Sequence, residues 1–413
     1  MSLMRLRYVA QINPSCPAFD GLHDEAELTF LPMENVWPGD RLDLGQRRTK
    51  SSVATGYTRF QNGDVLVPKI TPTFEASRSV WVADGLVNGT GAGTTELHVL
   101  RPGAEIDPRF LLCITHSHPF LKLGEAEMYG VAGQKRVPDE FIRNFAVEVP
   151  PLEDQRRIAD FLDAEVAQIA RIELVQRAAL SKIDERDRAF LDFELDRLFA
   201  RFGAIPFRRV IRRIEQGSSP QCDSTPAEDG EWGVLKISSV KRGTFFPKEN
   251  KRLPESVIPV RRYAVRDGDL LITRANTPEL VGDVAVVDQS PRMLLLPDLI
   301  YRVELWGGLL PEFSSIVLRG SRVRGLIQAT ARGTSQSMVK LRGEDIREWP
   351  IPNVDLAEQR KVIKRVAVQQ AVTSSLRFRI GRQLELLAER KQALITAAVT
   401  GRIDVTTMRG IRE

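Results

Sequence analysis

Two stretches of this chain carry apolar residues in steps of three and four over many turns. In the first they fall at Leu162, Val166, Ile169, Ile172, Val175, Ala179 and Ile183. In the second they fall at Ile363, Val366, Leu376, Ile380, Leu384, Leu387 and Leu394. Such spacing lays one apolar stripe along a helix. Neither stretch contains a proline, and Gly203 and Gly401 stand where each would stop. Each predicts a helix of roughly 45–50 residues, about 70 Å long at 1.5 Å rise per residue. A stripe of that length exceeds what one globule covers. It calls for a partner of equal length, and the other helix is such a partner, giving an antiparallel coiled coil. The seam is expected to include Ile169, Ile172 and Ile183 from the first helix, and Leu376, Ile380 and Leu387 from the second.

Ahead of each helix the period changes. Short β-branched runs are cut by turn residues: Asp64-Val-Leu-Val67, Ser79-Val-Trp-Val82, Leu97-His-Val-Leu100 and Phe145-Ala-Val-Glu-Val149. Asn62-Gly63 and Asp267-Gly268 are dipeptides that favour tight hairpins, because both central positions tolerate positive φ. A helix is predicted around residues 108–117. The fold class is α/β or α+β in each globule.

The chain repeats itself once. Gln155 matches Gln359, Ile142 matches Ile346 and Val36 matches Val240, each 204 positions apart, and Gly63 matches Gly268 at 205. A period of half the chain is too long for a solenoid and predicts two copies of a globule-plus-helix unit. The expected boundaries are a first globule at 1–152, a helix at 153–203, a second globule at 204–354 and a helix at 355–413.

Charge sharpens the pairing. The first helical block has 9 basic and 12 acidic residues, the second 12 and 6. Opposite net charge favours hetero-pairing over self-pairing. The whole chain is mildly basic at +5, with the surplus in the second half. That is compatible with a nucleic-acid partner without requiring one. Three widely spaced cysteines, Cys16, Cys113 and Cys222, fit a reducing compartment. No apolar run approaches a membrane span and the N-terminus has no apolar leader, so a cytoplasmic protein without membrane contact is expected.

Two globules that each close on proline before a Gln-Arg pair and a long helix resemble the specificity subunits of type I restriction–modification systems. The carrying stretches are Val149-Pro-Pro-Leu-Glu-Asp-Gln-Arg-Arg-Ile158 and Ile351-Pro-Asn-Val-Asp-Leu-Ala-Glu-Gln-Arg360. The Gly-Asp-Val-Leu and Gly-Asp-Leu-Leu segments and the closing Thr400-Gly-Arg-Ile-Asp404 add to the likeness. The resemblance implies a non-catalytic reader in which each globule recognises one half of a split site in double-stranded DNA. It implies helices that set the spacing and dock two methylation subunits, with motor–nuclease subunits joining. S-adenosylmethionine, ATP and Mg are expected on those partners, none in this chain. The assembled complex would methylate adenine at N6 and cut DNA with ATP. One departure is that the second copy has two extra residues between proline and Gln-Arg, so the helices are not expected to start at equivalent points.

Groove readers need base-edge donors and acceptors, plus cations for phosphates. Lys69 and Arg274 stand at matching places after the turn. The loops Gly133-Gln134-Lys135-Arg136 and Gly333-Thr334-Ser335-Gln336, the latter running on to Lys340, precede the last strand of each globule. All of these are candidate DNA contacts. Arg47, Arg48 and Lys50, with Arg41 nearby, form a candidate phosphate track in the first globule. Lys241, Arg242, Lys251 and Arg252, with Lys248, do so in the second. Each has a plainer reading as solvated surface charge.

Catalytic signatures do not assemble. Gly89-Thr-Gly-Ala-Gly93 is a lone glycine cluster without a strand–helix setting, and no Asn/Asp-Pro-Pro-aromatic motif accompanies it. The dipeptide Gly-Lys of a phosphate loop does not occur. Pro138-Asp139 and Pro297-Asp298 lack the following acid-x-Lys of a nuclease. Cys113, His116 and His118 are read as a helix end rather than a zinc site. The competing readings are a coiled-coil scaffold that binds protein, and a fused restriction–methylation enzyme.

Overall fold

The structure is a computed structural model describing residues 2–37, 41–131, 133–288, 293–335 and 338–403. Two compact units emerge: Met1–Arg177 with Gly381–Glu413, and Ala178–Ile380.

The first unit holds a four-stranded antiparallel sheet in the order Ala10–Ile12, Leu97–Pro102, Val65–Pro68, Val80–Trp81. A second sheet runs Arg47–Thr49, Glu27–Leu31, Thr90–Gly93, Thr58–Gln61, its middle pair parallel. Ser2–Arg5 pairs antiparallel with Ala146–Val149. The second unit repeats this plan. Its four strands are Ile211–Gln216, Ile300–Leu305, Leu270–Thr273 and Val284–Val286. Asn250–Arg252, Gly233–Leu235 and Leu294–Leu295 form the second sheet, which keeps the parallel pair and has one antiparallel pair where the first unit has two. Ala204–Pro206 pairs with Pro350–Pro352. The internal repeat is therefore a repeat of topology.

The Asn62-Gly63 turn has the positive φ expected of its glycine, 90°, yet closes no hairpin. Thr58–Gln61 and Val65–Pro68 lie in different sheets, so the turn hands the chain from one sheet to the other. Asp64 explains the change. Its carboxylate accepts from Gln61 N at 2.9 Å and from Arg101 at 2.8 and 2.9 Å, which fixes the corner without strand pairing. Thr90–Gly93, the lone glycine cluster, is a buried strand.

The predicted helix appears as Pro108–His116, capped by the Asp107 carboxylate, which accepts from Arg109 N and Phe110 N. Its buried Phe110, Leu111 and Ile114 share a core with Ile158 and Leu162 of the first long helix and Ile395, Ala398 and Val399 of the second. In the second unit Pro311–Arg319 occupies the same place. Its Phe313, Val317 and Leu318 pack with Leu195, Leu198 and Phe199 of the first long helix and Val362 and Val366 of the second.

The long helices run Leu152–Phe202 and Leu356–Val399. Each begins three residues before its glutamine, so their starts are equivalent and the expected offset between them is absent. The prolines mislead, because the position of Pro150 in the repeat is taken by Val354. Gln155 donates to the carbonyl of the first at 2.8 Å and Gln359 to that of the second at 3.1 Å. Residues 404–413, including Asp404, lie outside the described residues.

Helix pairing is antiparallel within each unit. In the second unit Arg365 meets Glu194 at 2.8 Å, Gln369 meets Asp187 at 3.1 Å, and Arg377 meets Asp184 and Asp187 at 2.8 Å. One number rises as the other falls. In the first unit Arg390 lies 3.4 Å from Glu165. Acids come from the first helix and bases from the second in all of these ion pairs, as the block charges predict. Ile169 is buried, and Ile183, Leu376, Ile380 and Leu387 are half-buried. Ile172 is exposed, which corrects its placement in the seam. Beyond Ile169 the inward positions pass to Glu173 and Gln176, because a 3.5-residue repeat selects by register and not by hydrophobicity.

Candidate nucleic-acid interface

In each unit the structure joins the two loops that the sequence singled out separately. Lys69 follows the strand Val65–Pro68, and its carbonyl accepts from Val137 N at 2.9 Å. Thr71 N donates to Lys135 O at 3.0 Å, and Ile70 and Arg136 form an antiparallel bridge. The second unit has the same junction. Arg274 follows Leu270–Thr273, and its carbonyl accepts from Leu341 N at 2.8 Å. Ala275 pairs with Lys340 in the adjoining short sheet. Thr334 and Ser335 lie on its strand Arg332–Ser335, and Gln336 falls outside the described residues.

The cations at this junction are not equally available. Arg136 grips Glu96 with paired contacts, Nε to Oε2 at 2.9 Å and Nη2 to Oε1 at 2.8 Å. That hydrogen bonding holds the Glu96 carboxyl below its ordinary range. Lys69 donates through Nζ to Thr95 O at 3.0 Å, and partial burial lowers its pKa against the opposing pull of Glu96. Arg274 reaches the Tyr301 hydroxyl at 3.2 Å and Asp298 O at 3.4 Å. Gln134, Lys135 and Lys340 are exposed.

The two basic tracks divide in the same way. Arg47 is exposed beside Glu27, 3.7 Å away. The Arg48 guanidinium lies 3.9 Å from the centre of the Phe30 ring and donates to the Tyr57 hydroxyl at 3.2 Å. Lys50 turns inward, its ammonium donating to the carbonyls of Asp20 and Leu22. In the second unit Arg252 is held by Asp223 at 2.8 Å, and Lys241 and Lys251 are exposed. Arg242 sits at a hairpin turn with φ 49°, its amide donating to Asp283 at 2.8 Å. Sequence reading did not single out Glu96, Asp223 or Asp283, because nothing in the local pattern marks which acid folds back onto which base.

Behind the first junction lies His98. Its Nε2 is 3.0 Å from Val137 O and its Nδ1 is 3.1 Å from the Asn13 amide, so Nε2 carries the proton and Nδ1 accepts. Burial lowers its pKa to about 4. His116 contacts Ser79 O at 3.0 Å through Nε2 and is likewise lowered to about 4 by burial. Among the described residues, no three His, Cys, Asp or Glu side chains gather as a metal ion would require. The arrangement offers donors, acceptors and cations on exposed hairpins, twice over.

Residues 88–179 match the family model described as type I restriction modification DNA specificity domain. The type I restriction enzyme EcoEI specificity subunit of Escherichia coli is 28% identical, the alignment covering 95% of this chain and 82% of that protein. The chain is similar to type I restriction–modification specificity subunits over nearly its whole length. The EcoAI specificity subunit of Escherichia coli is 43% identical over a shorter stretch, 37% of this chain and 26% of that protein. A solved structure concerned with complex assembly and conformational transition of the type I R-M system contains a chain of the same fold. It superposes with a TM-score of 0.71 at 16% identity and covers 97% of this chain and 98% of its own. Each of the two units carries one such hairpin junction. Among the described residues, no helix is long and apolar enough to cross a membrane.

Proposed function

We propose that this chain is the DNA-reading subunit of a type I restriction–modification complex, each unit recognising one half of a split sequence in double-stranded DNA. The observation that carries the reading is the duplicated junction, in which Lys69 with residues 133–136 and Arg274 with Lys340 occupy the same place in two domains of different sequence. A split site needs two readers of one build and different side chains. Phosphate contacts hold the register and base edges supply the sequence.

The long helices serve as a spacer and as docking surface for two methylation subunits, and motor–nuclease subunits complete the restriction enzyme. Leu174 and Phe378 support the docking role. Each lies 19 residues beyond its glutamine, and they are 71% and 77% exposed. Large apolar side chains at equivalent, uncovered positions suit two copies of one partner. S-adenosylmethionine, ATP and Mg belong to the partners, and the complex would work in the cytoplasm.

Reconstitution tests this function. The chain, a cognate methylation subunit and S-adenosylmethionine should yield N6-methyladenine at one split sequence, and methylation without sequence preference would refute it. Deleting one heptad from each helix removes about 10 Å, equivalent to about 3 bp of duplex, and the preferred gap should shorten accordingly.

A further inference from the structure

We infer that Tyr129 and Val131, at the tip of the first unit's hairpin, are the apolar base-edge readers of the first half-site, and that Arg136 is a positioning residue that holds them there. This deepens the DNA reading above and rests on it. Tyr129 and Arg136 exchange backbone hydrogen bonds of 3.1 and 2.9 Å, closing a narrow rung. Gly130 follows at φ 124°, and a Cβ there would lie 2.9 Å from Gln134 O, so the tip takes its shape from a glycine. Arg136 is tied to Glu96, so it anchors the base of the hairpin and is engaged within the domain.

The tip itself is uncovered. Tyr129 is 63% and Val131 74% exposed, and Gln134 and Lys135 beside them are exposed too. Residues 128–137 contain two cations and no carboxylate. The nearby Glu96 is neutralised by Arg136, and Glu125 by Lys122 at 2.7 Å. An apolar tip beside the exposed ammonium of Lys135 matches a groove of DNA, where thymine methyls and base edges lie between rows of phosphates. The second unit repeats the combination. Met338 is exposed on the equivalent strand two residues before the exposed Lys340. Both hairpins thus expose an apolar side chain near a cation, Tyr129 and Val131 on the first arm of one and Met338 on the second arm of the other.

The test uses the full chain with its co-purifying partner subunits, selected on duplexes in which both half-sites are randomised. Tyr129→Ala with Val131→Ser should lower discrimination about 5- to 100-fold at one or two base pairs of one half-site. It should leave the other half-site and the salt dependence unchanged. Arg136→Lys, which keeps the charge and loses the paired grip, should weaken preference at the same base pairs with little change in salt dependence. Unchanged preference at the remaining base pairs of the first half-site shows that the first unit is folded in each variant. A wild-type complex that selects a split site whose two halves both survive Tyr129→Ala with Val131→Ser overturns the reader assignment alone. A wild-type complex that enriches no sequence overturns the DNA reading and this assignment together.

Discussion

Gln155 and Gln359, 204 residues apart, hold the same three backbone partners in the two halves of the chain. Gln155 Oε1 accepts from Asp107 N at 2.8 Å, and its Nε2 donates to Glu105 O at 2.9 Å and Pro150 O at 2.8 Å. Gln359 Oε1 accepts from Leu310 N at 2.9 Å, and its Nε2 donates to Gly308 O at 2.8 Å and Val354 O at 3.1 Å. Both side chains are fully buried. One amide thus ties the start of each long helix to the turn that opens the domain's main core helix.

Replacing Gln155 by Ala leaves a part-buried donor, a part-buried acceptor and a buried acceptor without their partner. The expected loss is about 2–5 kcal/mol of stability in the first unit, since each orphaned group costs roughly 1–3 kcal/mol and some regain water. Gln359→Ala should do the same in the second unit. Hydrogen exchange resolved by unit checks both, and a loss spread evenly over the chain would contradict the local role.

Acid should weaken the first unit before the second. His98 and His116 are depressed to about 4 by burial, outweighing their hydrogen bonds to Val137 O and Ser79 O. An unfolded histidine titrates near 6.5, so between about 6.5 and 4 the unfolded state binds the extra proton. The contribution is complete above pH 6.5 and falls by about 1.4 kcal/mol per pH unit for each histidine. All four histidines of the chain lie at or before position 118. Protection factors, corrected for the intrinsic pH dependence of amide exchange, should fall between pH 7.5 and 5 more in the first unit than in the second. His98→Gln should reduce that fall.

Glu96→Gln removes the carboxylate that neutralises Arg136. Because the pair is largely solvated, stability should change little. The freed guanidinium should strengthen binding to all duplexes and steepen the dependence of affinity on salt by roughly one counterion. Titrations at several salt concentrations measure this, and an unchanged slope would mean that Arg136 does not face phosphate.

Leu174→Asp and Phe378→Asp should leave the subunit folded, because both side chains already face water. Each single variant should assemble with one methylation subunit in place of two, and the double variant with none. Mass measurement of the assembled complexes checks the count.

The periodic and repeated features of the fold were legible in the residue order. The stripe from Leu162 to Ile183 announces a long helix because helical neighbours are three and four residues apart along the chain. The Gln155 and Gln359 pair announces duplication because like sequences take like topologies. The inward register beyond Ile169 was less legible. There Glu173 and Gln176 replace the more apolar Ile172 and Val175, since the partner helix selects positions by geometry.

The amino-acid order by itself determined two homologous α/β units, two long helices, and an acidic helix set against a basic one. These properties follow from local periodicity, repetition and summed charge, none of which needs a fold to be read. The tertiary structure alone decided which cations stay available. It set Arg136 on Glu96, forty residues earlier, turned Lys50 onto two carbonyls, and left Tyr129 and Lys135 at an open tip. Availability depends on what lies within a few ångströms through space, and for these residues that neighbour comes from a distant part of the chain.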